Sequence, residues 1–175
     1  KKGNFESASI ASKDKINEAV GKIGENIVFK RSGFLEGDVH TYMHNSLAEG
    51  LGKIGVILLL NVDKVADLSE IGKNLCMHIA ASSPQSISND DLDDSVINSE
   101  REIIVQQLKD SDKPDNILSK MIDGKLNKYL EEIILLKQKF VINPELSIEK
   151  YLKEESSKKN LKIKIEKFIR FEIGK

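Results

Sequence analysis

Along the chain the spacing of apolar residues switches between three-to-four and two, and each switch marks an element. Ile16, Ala19, Val20 and Ile23 recur at helical spacing. Ser12 stands where a helix N-cap is expected, Asp14 suits the first turn, and Gly24 suits the end. Residues 26–37, NIVFKRSGFLEG, read as a partly exposed strand with Gly33 placed for a bulge. A polar segment follows, DVHTYMHNSLAEG, with Gly50 and Gly52 at its end. Residues 53–62, KIGVILLLNV, are apolar on both faces, the pattern of a central, covered strand. Asp67 or Ser69 then opens a helix that contains GKNLCMHIAASSP, residues 72–84.

SSPQSISNDDLDDS reads as a loop by composition. Beyond it the period becomes helical over two long segments, 91–110 and 114–136, joined by DSDKP. The second carries Leu118, Ile122, Leu126, Tyr129, Ile133 and Leu136 at spacings of three and four, a coiled-coil seam. The first carries Leu92, Val96, Ile97, Ile104 and Leu108. So short a turn forces the two helices antiparallel, and about 20 residues each gives a hairpin of roughly 30 Å. Pro144 and a helix capped by Ser147 come next. The chain then ends on LKIKIEKFIRFEIG, whose alternation predicts a half-buried antiparallel strand with Leu161, Ile163, Ile165, Ile169, Phe171 and Ile173 on one face. This strand has to return to those before the hairpin. The expected fold class is therefore α+β: a small antiparallel sheet of about three strands, packed helices, and an inserted antiparallel coiled-coil hairpin. The expected division is 1–24 as linker and first helix, 25–90 with 137–175 as the core, and 91–136 as the insertion.

Composition narrows the function. The 175 residues are 39% hydrophobic and 31% charged, ordinary for a globular domain, with a net charge of −1. No general field draws such a chain to nucleic acid or to an anionic membrane. Arginine occurs only at 31, 101 and 170, which weakens nucleic-acid readout further. The longest apolar run, 54–60, is too short to span a bilayer, and no signal peptide is visible. A single cysteine excludes an internal disulfide and fits a reducing, cytoplasmic setting.

Cys76 and His78 are two apart on a helix, about 200° around its axis, so they cannot face one metal together. A buried thiol and a hydrogen-bonded core histidine are the expected reading. His40 and His44 are close, with Asp38 a distant third, short of a zinc ligand set. SNDDLDD has the acidity of a calcium loop without its glycine and terminal glutamate, and reads as an acidic helix start. No catalytic constellation and no cofactor motif is visible, so no enzyme is expected. A surface loop presenting Tyr42, Met43 and His44 is a better candidate for partner contact. The rival readings are a generic coiled-coil interaction module and a thiol or metal enzyme.

Five blocks carry a resemblance: VGKIGENIVFKRSGFLEGD, KIGVILLL, LCMHIAASSPQSIS, SDKPDNILSKMIDGKLNKYLEEIILLKQKFVINP and FIRFEIG. In order and spacing, from about Val20 to the C-terminus, they resemble bacterial translation elongation factor Ts. The resemblance implies a guanine-nucleotide exchange factor that binds elongation factor Tu and promotes GDP release. It implies no covalent chemistry and no nucleotide binding by this chain. His44 then occupies the family's partner-facing histidine after LEGD, and Val141 the second partner-facing position; Tyr42 and Phe140 complete the expected contact set. The chain begins Lys-Lys-Gly, and the family's N-terminal helical module and Thr-Asp-Phe-Val motif are absent from it. The resemblance thus implies a fragment, the half that grips the partner's third domain. Lys139 departs from the family's proline and Asp112 from its hairpin glycine.

Overall fold

The computed structural model describes residues 5–48, 50–109, 111 and 113–174, with the backbone alone at Leu47. Asp112 lies outside the described residues. The order is α1 (Phe5–Ile23), β1 (Asp38–Ala48), β2 (Leu51–Val62), α2 (Ser69–Ser82), α3 (Asp94–Leu108), α4 (Asp115–Ile133), a 3-10 turn at Leu135–Lys137, α5 (Ile148–Lys159) and β3 (Ile163–Glu172). The strands form one antiparallel sheet in the order β1-β2-β3. The class is α+β, and β2 is central, as its two-sided apolar run requires.

The even-numbered face of β2 builds the core. Val56, Leu58 and Leu60 pack with Leu75 and Ile79 of α2, Leu135 of the 3-10 turn, and Ile148 and Leu152 of α5. The Asp67 carboxylate accepts from the Ser69 N–H at the start of α2, and Ser147 Oγ accepts from the Lys150 N–H at the start of α5. These are the polar side chains placed there to satisfy orphan donors.

Several expectations need correction. The segment 26–37 forms no strand; β1 is the stretch DVHTYMHNSLA within the segment read as polar. β1 is an edge strand, so only His40 and Tyr42 need meet the core, and its period of two is carried by residues that hydropathy ranks poorly. The segment 26–36 lies instead against the opposite face of the sheet. Gly33 serves close approach there, not a bulge: a Cβ on it would sit 2.7 Å from Ile169 Cδ1.

β3 is bulged. Leu59 pairs with Lys167 and Leu60 with Ile165, so Glu166 is an extra residue. A one-residue slip turns every later side chain over. Leu161, Ile163 and Ile165 therefore join the core together with Phe168, while Ile169 and Phe171 face the 26–36 segment.

Ser12 caps nothing: α1 is already helical from Phe5. Gly24 does close it, at φ 75° with its N–H on Val20 O. In α3 and α4 the expected ends are trimmed. Asp93 caps α3 by accepting from the Ser95 N–H, and Ile134 turns extended so that residues 85–87 can pair with 133–136. The two helices share a second apolar cluster around Ile104, Leu126, Leu130 and Ile133, with Val96, Ile97 and Ile122 at its margin. Leu136, expected at the end of that seam, packs in the main core instead.

Candidate functional site

α2 is the element that organises the chemistry-bearing side chains. It packs on β1 and β2 with one row and toward the 3-10 turn with the other. Cys76 is wholly buried, and burial pushes its thiol up to about 12. So protonated a thiol is neither nucleophile nor ligand at neutral pH. His40 Nε2 is 3.3 Å from Asp38 Oδ1, without hydrogen-bond alignment. Among the described residues no three His, Cys, Asp or Glu side chains converge where an ion could be held.

Tyr42 and His44 stand on β1, not in a loop. Being two apart on a strand, they project on the same face, and Tyr42 Oη lies 3.3 Å from His44 Nδ1. Tyr42 is anchored against the core while His44 is exposed. The next residue, Asn45, takes φ 50°, and the ladder to β2 shifts register between Ser46 and Ala48. That irregularity ends the regular edge just beyond His44.

Val141 sits in a closed loop. The Phe140 N–H donates to Leu146 O and the Ile148 N–H to Gln138 O, clamping its base. Lys139 and Ser147 form the bridged pair between those two bonds, so the Lys139 N–H is not needed in the ladder. A proline would fit there too, and the departure from the family residue costs no hydrogen bond. At the tip Val141 is 45% and Ile142 50% exposed.

Phe140 needs correction as a contact residue. Its ring is 2% exposed, stacks on Tyr151 at 4.3 Å, and meets the His78 ring edge-on at 5.9 Å. It supports the loop from beneath and offers no surface.

His78 is completely buried and gathers several elements. Its Nε2 is 2.9 Å from Gln138 Oε1, its Nδ1 is 3.4 Å from Ser82 Oγ, and the Val141 N–H donates to Nδ1 at 3.3 Å. Burial holds its pKa below the ordinary histidine range, opposed in part by the Gln138 hydrogen bond. Gln138 and Ile142 were not singled out from sequence. The signal for Gln138 was available: a lone amide among the apolar residues of ILLKQKFVI.

A three-stranded antiparallel sheet with α2 and α5 packed on one face, and a helix pair between them in sequence, defines an α+β protein. The family model described as Elongation factor TS matches residues 3–175. The chain is 42% identical over 164 residues to Elongation factor Ts of Bartonella henselae, covering 91% of this chain and 53% of that protein. It is 45% identical over 136 residues to Elongation factor Ts of Paracoccus denitrificans, covering 77% and 46%. With Elongation factor Ts of Sinorhizobium medicae it shares 38% over 178 residues, covering 99% and 58%. The chain belongs to the elongation factor Ts family, a family of translation elongation and protein biosynthesis. It spans about half the length of the curated relatives it matches. No helix among the described residues is long and apolar enough to cross a membrane.

Proposed function

We propose that this chain binds elongation factor Tu and takes part in guanine-nucleotide exchange on it, without covalent chemistry of its own. The family match across residues 3–175 carries the reading. The surface supports it: Val141 and Ile142 form an exposed apolar tip on a clamped loop, and His44 is exposed beside Tyr42. A rigid apolar tip and an anchored aromatic–histidine pair lose little entropy on docking.

Exchange by such a protein rests on differential binding. A factor that favours nucleotide-free elongation factor Tu weakens GDP binding by the same coupling energy, whereas one that holds both states equally shifts nothing. Binding and exchange are therefore separable. The test is to titrate the 175-residue chain into elongation factor Tu loaded with fluorescent GDP, reading complex formation and stopped-flow release independently. Complex formation, with release raised only slightly, is the expected result for this grip-bearing part. No complex at micromolar concentrations would overturn the reading.

A further inference from the structure

We propose that His78 and Gln138 are positioning residues: they form a one-directional hydrogen-bond relay that sets the Val141–Ile142 tip in its docking position. The inference rests on the reading of that tip as partner-facing, but the relay itself is fixed by atoms inside the chain.

Its direction follows from the acceptors at one end. Gln138 Nε2 lies within hydrogen-bond distance of two backbone carbonyls, Glu132 O in the last turn of α4 and Ser82 O at the end of α2. Carbonyls only accept, so the Gln138 NH2 group must face them, and Oε1 must face His78. Oε1 in turn only accepts, so His78 Nε2 carries the proton and donates at 2.9 Å. A neutral imidazole has one N–H, which leaves the Nδ1 lone pair for the Val141 N–H at 3.3 Å. The Gln138 amide, the imidazole and the loop N–H are thereby assigned, with Ser82 Oγ at 3.4 Å a second neighbour of Nδ1.

The loop uses other N–H groups for its own backbone bonds, and the Val141 N–H goes to Nδ1. Its two clamping bonds use the N–H groups of Phe140 and Ile148, and Leu146 N–H closes the tip on Asn143 O. A buried or half-buried N–H without an acceptor costs free energy, so the tip sits where Nδ1 can reach it. Phe140, packed edge-on to the same imidazole, fixes the ring plane. The relay also ties the tip to the end of α4, so a displacement of the helix pair is felt at Val141.

Two near-isosteres separate the ends of the relay. In His78→Asn the amide oxygen falls where Nδ1 was and can accept from Val141, while the donor to Gln138 is lost. In His78→Gln the amide nitrogen falls where Nε2 was and can donate to Gln138, while the acceptor for Val141 is lost. Both variants of the full 175-residue chain should melt at lower temperature. His78→Gln alone should lose amide-exchange protection at Val141 under conditions where the amides of β2 keep theirs, and should bind elongation factor Tu about tenfold more weakly. His78→Asn should keep the protection and bind within about threefold of the unaltered chain. Equal protection and equal affinity in both variants would overturn the proposal. So would tip protection lost in His78→Gln with affinity unchanged.

Should neither variant fold, imidazole nitrogen shifts of the unaltered chain decide: an Nε2–H tautomer with an accepting Nδ1 supports the relay, and an Nδ1–H tautomer removes it. If the unaltered chain does not bind elongation factor Tu while its tautomer is Nε2–H, the proposed partner is wrong and the relay stands.

Discussion

Gly72 of α2 lies flat against the ring of His40 on β1, and a Cβ on Gly72 would overlap that ring near its attachment point. The contact explains a row of small residues: Gly72, Cys76 and Ala80 are successive i+4 positions, all buried. The helix can approach the sheet this closely because the row is small, and Cys76 serves there as a compact apolar filler. Gly72→Ala should therefore destabilise the chain. Alanine gains about 1 kcal/mol of helix propensity over glycine, but overpacking typically costs about 1–3 kcal/mol, and the obstacle is the ring base and not a flexible tip. Urea unfolding should show a lower midpoint at unchanged slope; an unchanged or higher midpoint would mean that His40 moves aside freely.

His44→Ala and Val141→Ala should weaken binding to elongation factor Tu without unfolding the chain. Both side chains are exposed, so neither truncation leaves a cavity. Losing one contact side chain at an interface centre costs about 1–2 kcal/mol, or roughly five- to thirtyfold in Kd. Phe140→Ala should behave differently: the ring is core, so its loss should lower the melting temperature first, by the equivalent of about 3–5 kcal/mol. Isothermal titration alongside circular-dichroism melting separates the two classes. Unchanged affinity in both surface variants would remove them from the interface.

Acidification should loosen the fold through His78. In the folded chain burial holds its pKa below the ordinary value of 6.5, and its hydrogen-bonding partners, Gln138, Ser82 and the Val141 backbone, are uncharged. The unfolded chain thus takes up the proton first as pH falls below about 6.5, and stability declines from there down to the folded pKa. Above that pH the histidine contributes no slope. Asp63 and Asp93, whose pKa values are lowered first by hydrogen bonds from backbone N–H groups, and Asp67, lowered first by the Ser69 side chain and then by the Ser69 N–H, add their own loss only below about pH 3.8. Denaturant midpoints between pH 5 and 8 should fall on the acid side in the unaltered chain. The fall should be shallower in His78→Gln. Parallel profiles would assign the slope to other groups.

Where sequence and structure agree, local physics and tertiary packing point the same way. β2 is apolar on both faces and is covered on both. Ser147 caps α5 because a serine oxygen before ILE-type helix residues has one efficient use, the orphan N–H three residues on. Where they part, a non-local contact decides. β1 reads as polar because an edge strand needs few apolar positions, and its strand state comes from pairing with β2. The alternation of β3 looks uninterrupted, but Glu166 is bulged out, and nothing in IKIEKFIRF marks which residue is skipped. At the candidate site His44 was legible as part of a polar, exposed Tyr-Met-His stretch, whereas Val141 was legible only through family resemblance, since exposure on a loop tip leaves no period. His78 was legible as a hydrogen-bonded core histidine. Its partner Gln138 lies 60 residues away, a distance no spacing rule spans.

The helix pair should be removable, with boundaries narrower than the helical periodicity suggests. The main apolar cluster draws on α2, α5, the sheet and the 3-10 turn, and contains no described residue from 94–131. Those residues pack on one another instead, through Ile104, Leu126 and Leu130. Leu135 and Leu136 are different: both belong to the main cluster, and their N–H groups donate to Ser86 O and Ile87 O. A deletion reaching them would strip core side chains and leave two carbonyls unpaired. Replacing 94–131 by a short Gly-Ser linker keeps both. Closing a loop of that kind costs little, because closure entropy grows only with the logarithm of length. The shortened chain should unfold cooperatively and keep the amide protection of β2, whereas removal of 92–136 should abolish cooperative unfolding. A shortened 94–131 variant that melts without a transition would show that α3 and α4 stabilise the sheet as well as each other.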